Sequence, residues 1–150
     1  MLAEHGATWS LRAAVAAGNL EQVAQLLGGG LDVNAPLDPQ GTTPLMLAAW
    51  LATPAAEGSW SLVQALLAMH GADPNRPNAC GGTPLLCACE AGHEAAVTAL
   101  LMAGADPAHV DGDGDTALCV AATHGHAATV ALLLAHPRSP SDAALASVID

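Results

Sequence analysis

The sequence contains no lysine and three arginines against 14 acidic residues, which leaves a formal net charge of −11. Nucleic acids and anionic membrane surfaces are bound through clustered cations, so this composition argues against both as partners. A protein partner with a basic patch is favoured instead. The alternative is that the acidity only keeps an alanine-rich chain in solution.

Phenylalanine and tyrosine are also absent, and tryptophan occurs three times, although 52% of the 150 residues are hydrophobic. The interior must therefore be built from leucine, valine and small residues, which let helices approach closely. No apolar run approaches the roughly 18 residues of a membrane span, and residues 1–10 lack a secretion signal. Four cysteines without disulfide spacing indicate reduced thiols. We expect an intracellular, cytoplasmic protein, without excluding the nucleus.

A short motif recurs along the chain, and its last two copies begin 33 residues apart. Its three copies are Thr43-Pro44-Leu45, Thr83-Pro84-Leu85 and Thr116-Ala117-Leu118. Each copy is followed two residues later by a small pair: Ala48-Ala49, Ala88-Cys89 and Ala121-Ala122. Such periodicity predicts a stack of similar units rather than one globule around a buried site.

Each unit predicts two helices, because apolar residues recur at i, i+3 and i+4. The first helices carry Leu11/Ala14/Val15, Leu45/Ala48/Ala49, Leu85/Ala88/Cys89 and Leu118/Ala121/Ala122. The second helices carry Val23/Leu26/Leu27, Val63/Leu66/Leu67, Val97/Leu100/Leu101 and Val130/Leu133/Leu134. Thr43 and Thr83 are predicted N-caps, with proline at the first helical position. Glycines that adopt positive φ should end the first helices: Gly18, Gly92 and Gly125.

Turn signals separate the units, each with an Asp or Asn three residues before a glycine. They are Asp38-Pro39-Gln40-Gly41, Asn78-Ala79-Cys80-Gly81 and Asp111-Gly112-Asp113-Gly114. Together with the helices, these turns resemble the ankyrin repeat family from about Trp9 to Pro137. The resemblance implies an all-α ankyrin-repeat solenoid, in which helix-turn-helix units stack and hairpin-like fingers project. Met46, Leu86 and Cys119 depart from it, since the family usually places histidine there.

The resemblance divides the chain as one ankyrin repeat domain over residues 1–150. Its parts are an N-terminal capping repeat 9–35, repeats 38–75, 78–107 and 111–137, and a C-terminal capping helix 139–149. The second repeat holds an insertion at about 53–59, predicted to be a loop anchored by Trp60. Arg12 and Glu21 are expected to face water. The alternative is that these residues are a piece of a longer array.

Reactive residues are present, but their spacing does not assemble a catalytic, cofactor or metal site. Cys87 and Cys89 point about 200° apart on a helix and should be buried, whereas Cys80 should be exposed. The run from Asp111 to Asp115 opens like a calcium loop but lacks the later glycine and glutamate. His93 and His126 are expected to be structural, and His124 to lie on the surface. We therefore expect no enzymatic activity and no cofactor.

Family resemblance places the partner-binding residues at the finger tips and just before the glycine that ends each first helix. In this sequence they are Gln40, Thr42, Trp50, Leu51, Cys80, Glu90, Ala91, Asp113, Asp115, Thr123 and His124. Trp50 is the foremost candidate, because binding energy concentrates on large aromatic side chains. The alternative is that its ring packs on the insertion.

The resulting hypothesis is a monomeric, non-enzymatic interaction module, an adaptor, scaffold or inhibitor, that binds a partner through its concave face and finger tips. A rival hypothesis is a targeting or regulatory ankyrin segment of a larger enzyme or multidomain protein. The two differ in whether the parent reading frame extends beyond these residues.

Overall fold

The computed structural model describes residues 11–51, 57–69 and 71–136, and all regular structure in these ranges is α-helical. Residues 11–16 belong to helix α1. The remaining helices are α2 (Leu20–Gly28), α3 (Pro44–Leu51), α4 (Glu57–Met69), α5 (Pro84–Ala91), α6 (Glu94–Met102), α7 (Ala117–Thr123) and α8 (Ala127–Ala135). The predicted all-α fold is confirmed. The predicted capping helix 139–149 lies outside the described residues.

The helices form two layers, as a stack of helical hairpins requires. In the layer of first helices, α3 packs against α5 and α5 against α7; in the layer of second helices, α2, α4, α6 and α8 pack in order. Within the second, third and fourth repeats the two helices also contact each other. Most of the predicted stripes meet between the layers, where Leu45, Leu66, Leu85 and Leu100 are at most 1% exposed. Two stripe residues of the last described repeat differ from the prediction, since Leu134 is 44% exposed and Ala122 is also exposed.

Sequence-encoded caps fix where the first helices begin and end. Thr83 Oγ1 accepts a hydrogen bond from Leu86 N at 3.4 Å, and Thr43 Oγ1 accepts one from Met46 N at 3.3 Å. These bonds satisfy amide groups that have no partner within the helix. The terminating glycines adopt φ between 67° and 73°, as predicted: Gly18, Gly92 and Gly125.

The turns form fingers that hydrogen-bond to one another. In the third repeat, Asn78 Oδ1 accepts from the amides of Cys80 at 2.9 Å and Gly82 at 2.8 Å. Asp38 and Asp111 hold their turns in the same way. Neighbouring fingers are then joined, because Ala79 N donates to Gln40 O and Gly112 N donates to Cys80 O, both at 2.8 Å.

A second set of bonds between repeats lies in the loops after the second helices. Asn75 Oδ1 accepts from Asp106 N at 2.7 Å, and its Nδ2 donates to Gly104 O at 3.0 Å. Asn34 bridges to Asp73 N and Gly71 O in the preceding interface. The sequence reasoning missed these asparagines, although both stand two residues after an aspartate, in Asp-Val-Asn and Asp-Pro-Asn.

Three further details of the fold differ from the sequence prediction. Helix α4 begins at Glu57, so residues 57–59 of the expected loop 53–59 are helical; an acidic residue is favoured in the first turn of a helix. Arg12 does not simply face water, since its Nη1 lies 3.4 Å from Asp38 Oδ2 and its side chain is 43% exposed. Cys87 is half-buried rather than buried, although its neighbours Leu86 and Ala88 are buried.

Candidate protein interaction site

The residues predicted to bind a partner are defined here as the finger face. Eight of its eleven members are exposed: Gln40, Trp50, Cys80, Glu90, Asp113, Asp115, Thr123 and His124. Three are half-buried: Thr42, Leu51 and Ala91. All eleven are therefore accessible at least in part, and the charged members Glu90, Asp113 and Asp115 are all acidic.

Trp50 supplies the large apolar side chain of this surface. It is the next-to-last residue of α3 and is 54% exposed, although the preceding Ala49 is fully buried. Glu90 holds the same position of its repeat near the end of α5, and Thr123 holds it as the last residue of α7. Because α3 packs on α5 and α5 on α7, these three residues occupy successive rungs of the stack, with helices about 8–10 Å apart.

Glu90 and two histidines form a polar cluster where α5 and α7 end. His124 Nε2 lies 3.9 Å from Glu90 Oε1, and His124 Nδ1 lies 2.9 Å from Val120 O. His126 reaches back across the repeat interface, with its Nε2 3.0 Å from Glu90 O. The two rings are parallel, with centroids 6.2 Å apart. Thus the structure brings together the finger-face residues Glu90 and His124, and adds His126 beside them.

His93 and His126 hold matching positions before the second helices of consecutive repeats, but their contacts differ. His93 is buried and its Nδ1 accepts from Ala96 N at 3.0 Å, so it caps α6. Burial lowers the pKa of His93 below its ordinary value of 6.5. His126 makes no cap bond to α8. The structural role expected for His93 is a helix cap, whereas His126 connects two repeats.

The cysteines of α5 are unsuited to chemistry. Burial raises the pKa of Cys87 to about 12 and that of Cys89 to about 12, so both remain neutral thiols at physiological pH. Cys80 on the finger is exposed, as predicted, but it was expected to be the one exposed thiol, and Cys119 on α7 is exposed as well. Within the described ranges no three histidine, cysteine or acidic side chains are grouped so as to hold a metal ion.

Comparison with known protein families agrees with the stacked helical repeats of the structure. A family model described as ankyrin repeats, in three copies, covers residues 50–143. This chain belongs to the ankyrin repeat family. Curated relatives include the ARF GTPase-activating protein GIT1 of Homo sapiens and that of Mus musculus, each 39% identical over 83 residues, or 55% of this chain. The chain spans 10% of the length of these relatives.

Ankyrin repeats form a protein–protein interaction fold rather than a catalytic one, which supports a protein-binding role for this domain. Among the residues that the structure describes, no helix is long and apolar enough to cross a membrane.

Proposed function

We propose that this domain is a non-enzymatic interaction module whose finger face binds a protein partner with a basic surface. The observation that carries the proposal is the placement of an exposed indole at Trp50 and an exposed carboxylate at Glu90 on successive rungs of the stack. An aromatic ring beside an acidic group is the arrangement that recognises an arginine or lysine side chain.

The chemistry of such a contact favours arginine. A guanidinium can stack on the Trp50 ring, which contributes about 0.5–2 kcal/mol depending on how far the contact is desolvated. Its N–H groups can also donate to the Glu90 carboxylate, and arginine forms such bonds in pairs. Asp113 and Asp115 on the last described finger extend the acidic surface, so further cations of the partner would meet carboxylates there.

The shape of the surface suits an extended peptide or a helix. Three rungs, at Trp50, Glu90 and Thr123, run along the stack beside fingers that are joined by backbone hydrogen bonds. Peptides and helices bind such long surfaces through side chains spaced at regular intervals.

Substitution of Trp50 tests the proposal. The partner is first captured from the source cell and purified, and its affinity is then measured by calorimetry. Trp50→Ala should reduce binding at least tenfold, as expected for a central aromatic contact. Met102→Ala is the matched control, because Met102 is a large apolar residue that is 84% exposed on the second helix α6.

Charge is tested in the same way. Glu90→Gln should weaken binding, and raising the salt concentration should weaken the wild-type complex, whereas Glu94→Gln, on α6, should have little effect. The proposal is wrong if Met102→Ala and Glu94→Gln are as damaging as Trp50→Ala and Glu90→Gln. It is also wrong if Trp50→Ala lowers the melting temperature by several degrees, since Trp50 would then be a packing residue.

A second candidate is supported by the relatives. The GIT1 proteins are GTPase-activating proteins, and this chain covers a tenth of their length, so an ankyrin segment can serve as a targeting or regulatory part of a larger protein. A parent reading frame that encodes a catalytic domain beside these repeats would favour this candidate. Under either candidate we propose that the finger face makes the contact and that the repeats act as a monomer in the cytoplasm, which light scattering and imaging of a tagged chain would check.

A further inference from the structure

The interaction of His124 with Glu90 depends on which nitrogen of the His124 ring carries a proton. A backbone carbonyl can only accept a hydrogen bond, so a ring nitrogen in contact with it carries a proton. His124 Nδ1 lies 2.9 Å from Val120 O, and the neutral ring therefore holds its single proton on Nδ1. Its Nε2 then presents a lone pair to Glu90 Oε1, 3.9 Å away. Neutral His124 leaves the Glu90 carboxylate without a hydrogen bond from this ring.

His126 is fixed in the opposite form. Its Nε2 lies 3.0 Å from Glu90 O, so the neutral ring holds its proton on Nε2. The ring fills the space over Gly92, where an added Cβ would lie 2.5 Å from His126 Nδ1. Each histidine thus uses its one neutral-state proton on a backbone carbonyl at a helix end.

We propose that protonation of His124 switches off the finger face toward a basic partner. The added proton goes to Nε2, where it pairs with Glu90, and the carboxylate that would bind the partner's arginine is neutralised. The ring itself becomes a cation on the same surface. This inference rests on the proposed function, because it takes Glu90 as a contact of the partner.

Few other described groups compete for His124. Helix α5, which packs against α7, carries Glu90 and the thiols of Cys87 and Cys89, and burial raises the pKa of each thiol to about 12, so both are neutral. Helix α8 has no charged side chain of its own and is flanked by His126 and His136. The nearest acid on α6 is Glu94, in its first turn.

The expected effect is a loss of affinity in acid. When the pH is lowered from about 7.5 to about 5.5, affinity for an arginine ligand should fall by roughly fivefold, because a protonated imidazole pairs with the Glu90 carboxylate. A partner that binds through its own carboxylates would show the opposite pH dependence, because its affinity would rise when His124 becomes a cation.

Ring tautomers provide a test that needs no partner. Long-range proton–nitrogen NMR spectra of the free chain at about pH 7.5 distinguish the two nitrogens of each imidazole. We expect the proton of neutral His124 on Nδ1 and that of His126 on Nε2. A His124 proton on Nε2 would overturn the inference, because the neutral ring would then already donate toward Glu90.

A binding titration tests the switch itself. N-acetyl-arginine amide is added to the full chain at both pH values, and binding is followed at the Trp50 indole and Thr123 amide signals. His124→Gln keeps a donor for Val120 O but cannot titrate, so it should bind equally at both pH values. Glu94→Gln is the control, and it should retain the wild-type pH dependence.

The outcomes separate the two proposals. Wild-type binding at pH 7.5 that does not weaken at pH 5.5, or a loss in acid that persists in His124→Gln, overturns the switch and leaves the proposed function standing. Absence of wild-type binding at pH 7.5 overturns both. Spectra of the free chain at each pH show that the domain stays folded.

Discussion

At the scale of single residues, matching positions of consecutive repeats serve different purposes. His93 caps its own helix, whereas His126 bonds to the preceding repeat. Ala96 and Thr129 also match, and both are buried, but Thr129 brings a hydroxyl that has no hydrogen-bond partner among the described residues. Repeats of one pattern thus differ in the contacts that their matching residues make.

His93 makes stability depend on pH. Its pKa is lower in the folded state than its ordinary 6.5, since burial disfavours the charged ring. The unfolded chain therefore binds more protons, and stability falls as the pH drops through 6.5 toward the folded value. His93→Asn retains a capping acceptor without a titrating group, so its urea midpoint should vary less between about pH 7.5 and pH 5.5. If the urea midpoints of the wild type and of His93→Asn changed equally with pH, this role of His93 would be contradicted.

Thr129 offers a stabilising substitution. Thr129→Val keeps the shape of the side chain and removes a buried hydroxyl that has no described partner, which should raise the free energy of unfolding by about 1 kcal/mol. Thr98→Val is the control, because Thr98 is exposed on α6 and its Oγ1 already donates to Glu94 O. Chemical denaturation measures both. A loss of stability in Thr129→Val would show that the hydroxyl is bonded in solution.

At the scale of elements, the fingers combine a local turn with a close approach between neighbours. Gly81 has a φ of +79°, and an added Cβ would lie 2.8 Å from Gly112 N. Gly114 has a φ of +87°, but an added Cβ would meet nothing within 4 Å. The two glycines therefore separate backbone strain from contact between fingers.

Alanine substitution should show this difference. Gly114→Ala should lower the free energy of unfolding only through the strain of its positive φ, by about 1–2 kcal/mol. Gly81→Ala introduces the same backbone strain, and its Cβ also collides with the backbone of the next finger. We therefore expect it to lower the free energy of unfolding by about 2 kcal/mol more. Urea unfolding of the two variants measures the gap. Equal losses would mean that the fingers can separate without cost.

Some elements were predictable from sequence because they depend on local spacing alone. The caps at Thr43 and Thr83 and the finger turns follow from residues three or four apart. The pairing of Arg12 with Asp38 and the reach of His126 to Glu90 join residues 26 and 36 positions apart, so they depend on how repeats stack. The finger face was placed by family resemblance; its residues are exposed or half-buried, and their role in binding a partner stays a prediction.

At the scale of the whole molecule, stability is shared between neighbouring repeats, as expected for a one-dimensional stack. Finger bonds join the second repeat to the third and the third to the fourth, and asparagine bonds join the first to the second and the second to the third. The interface between the second and third repeats therefore has both sets. Loss of one link should therefore weaken coupling rather than unfold a single unit.

Asn75 tests this coupling. Asn75→Ala removes the bonds to Asp106 N and Gly104 O, and we expect it to lower the free energy of unfolding by about 1–3 kcal/mol. The neighbouring exposed residue Arg76 provides the control, and Arg76→Ala should change stability by less than about 0.5 kcal/mol. Similar effects of the two variants would show that the asparagine bonds do not hold repeats together.

The most direct test of the central claim is a hydrogen–deuterium exchange footprint of the purified partner on the full chain. The claim is that a continuous stack binds its partner along the finger face. We predict new protection in the fingers and at the ends of the first helices, within 40–42, 50–51, 80–82, 90–91, 113–115 and 123–124. Protection confined to the second helices α4, α6 and α8, with these segments unchanged, would contradict the account.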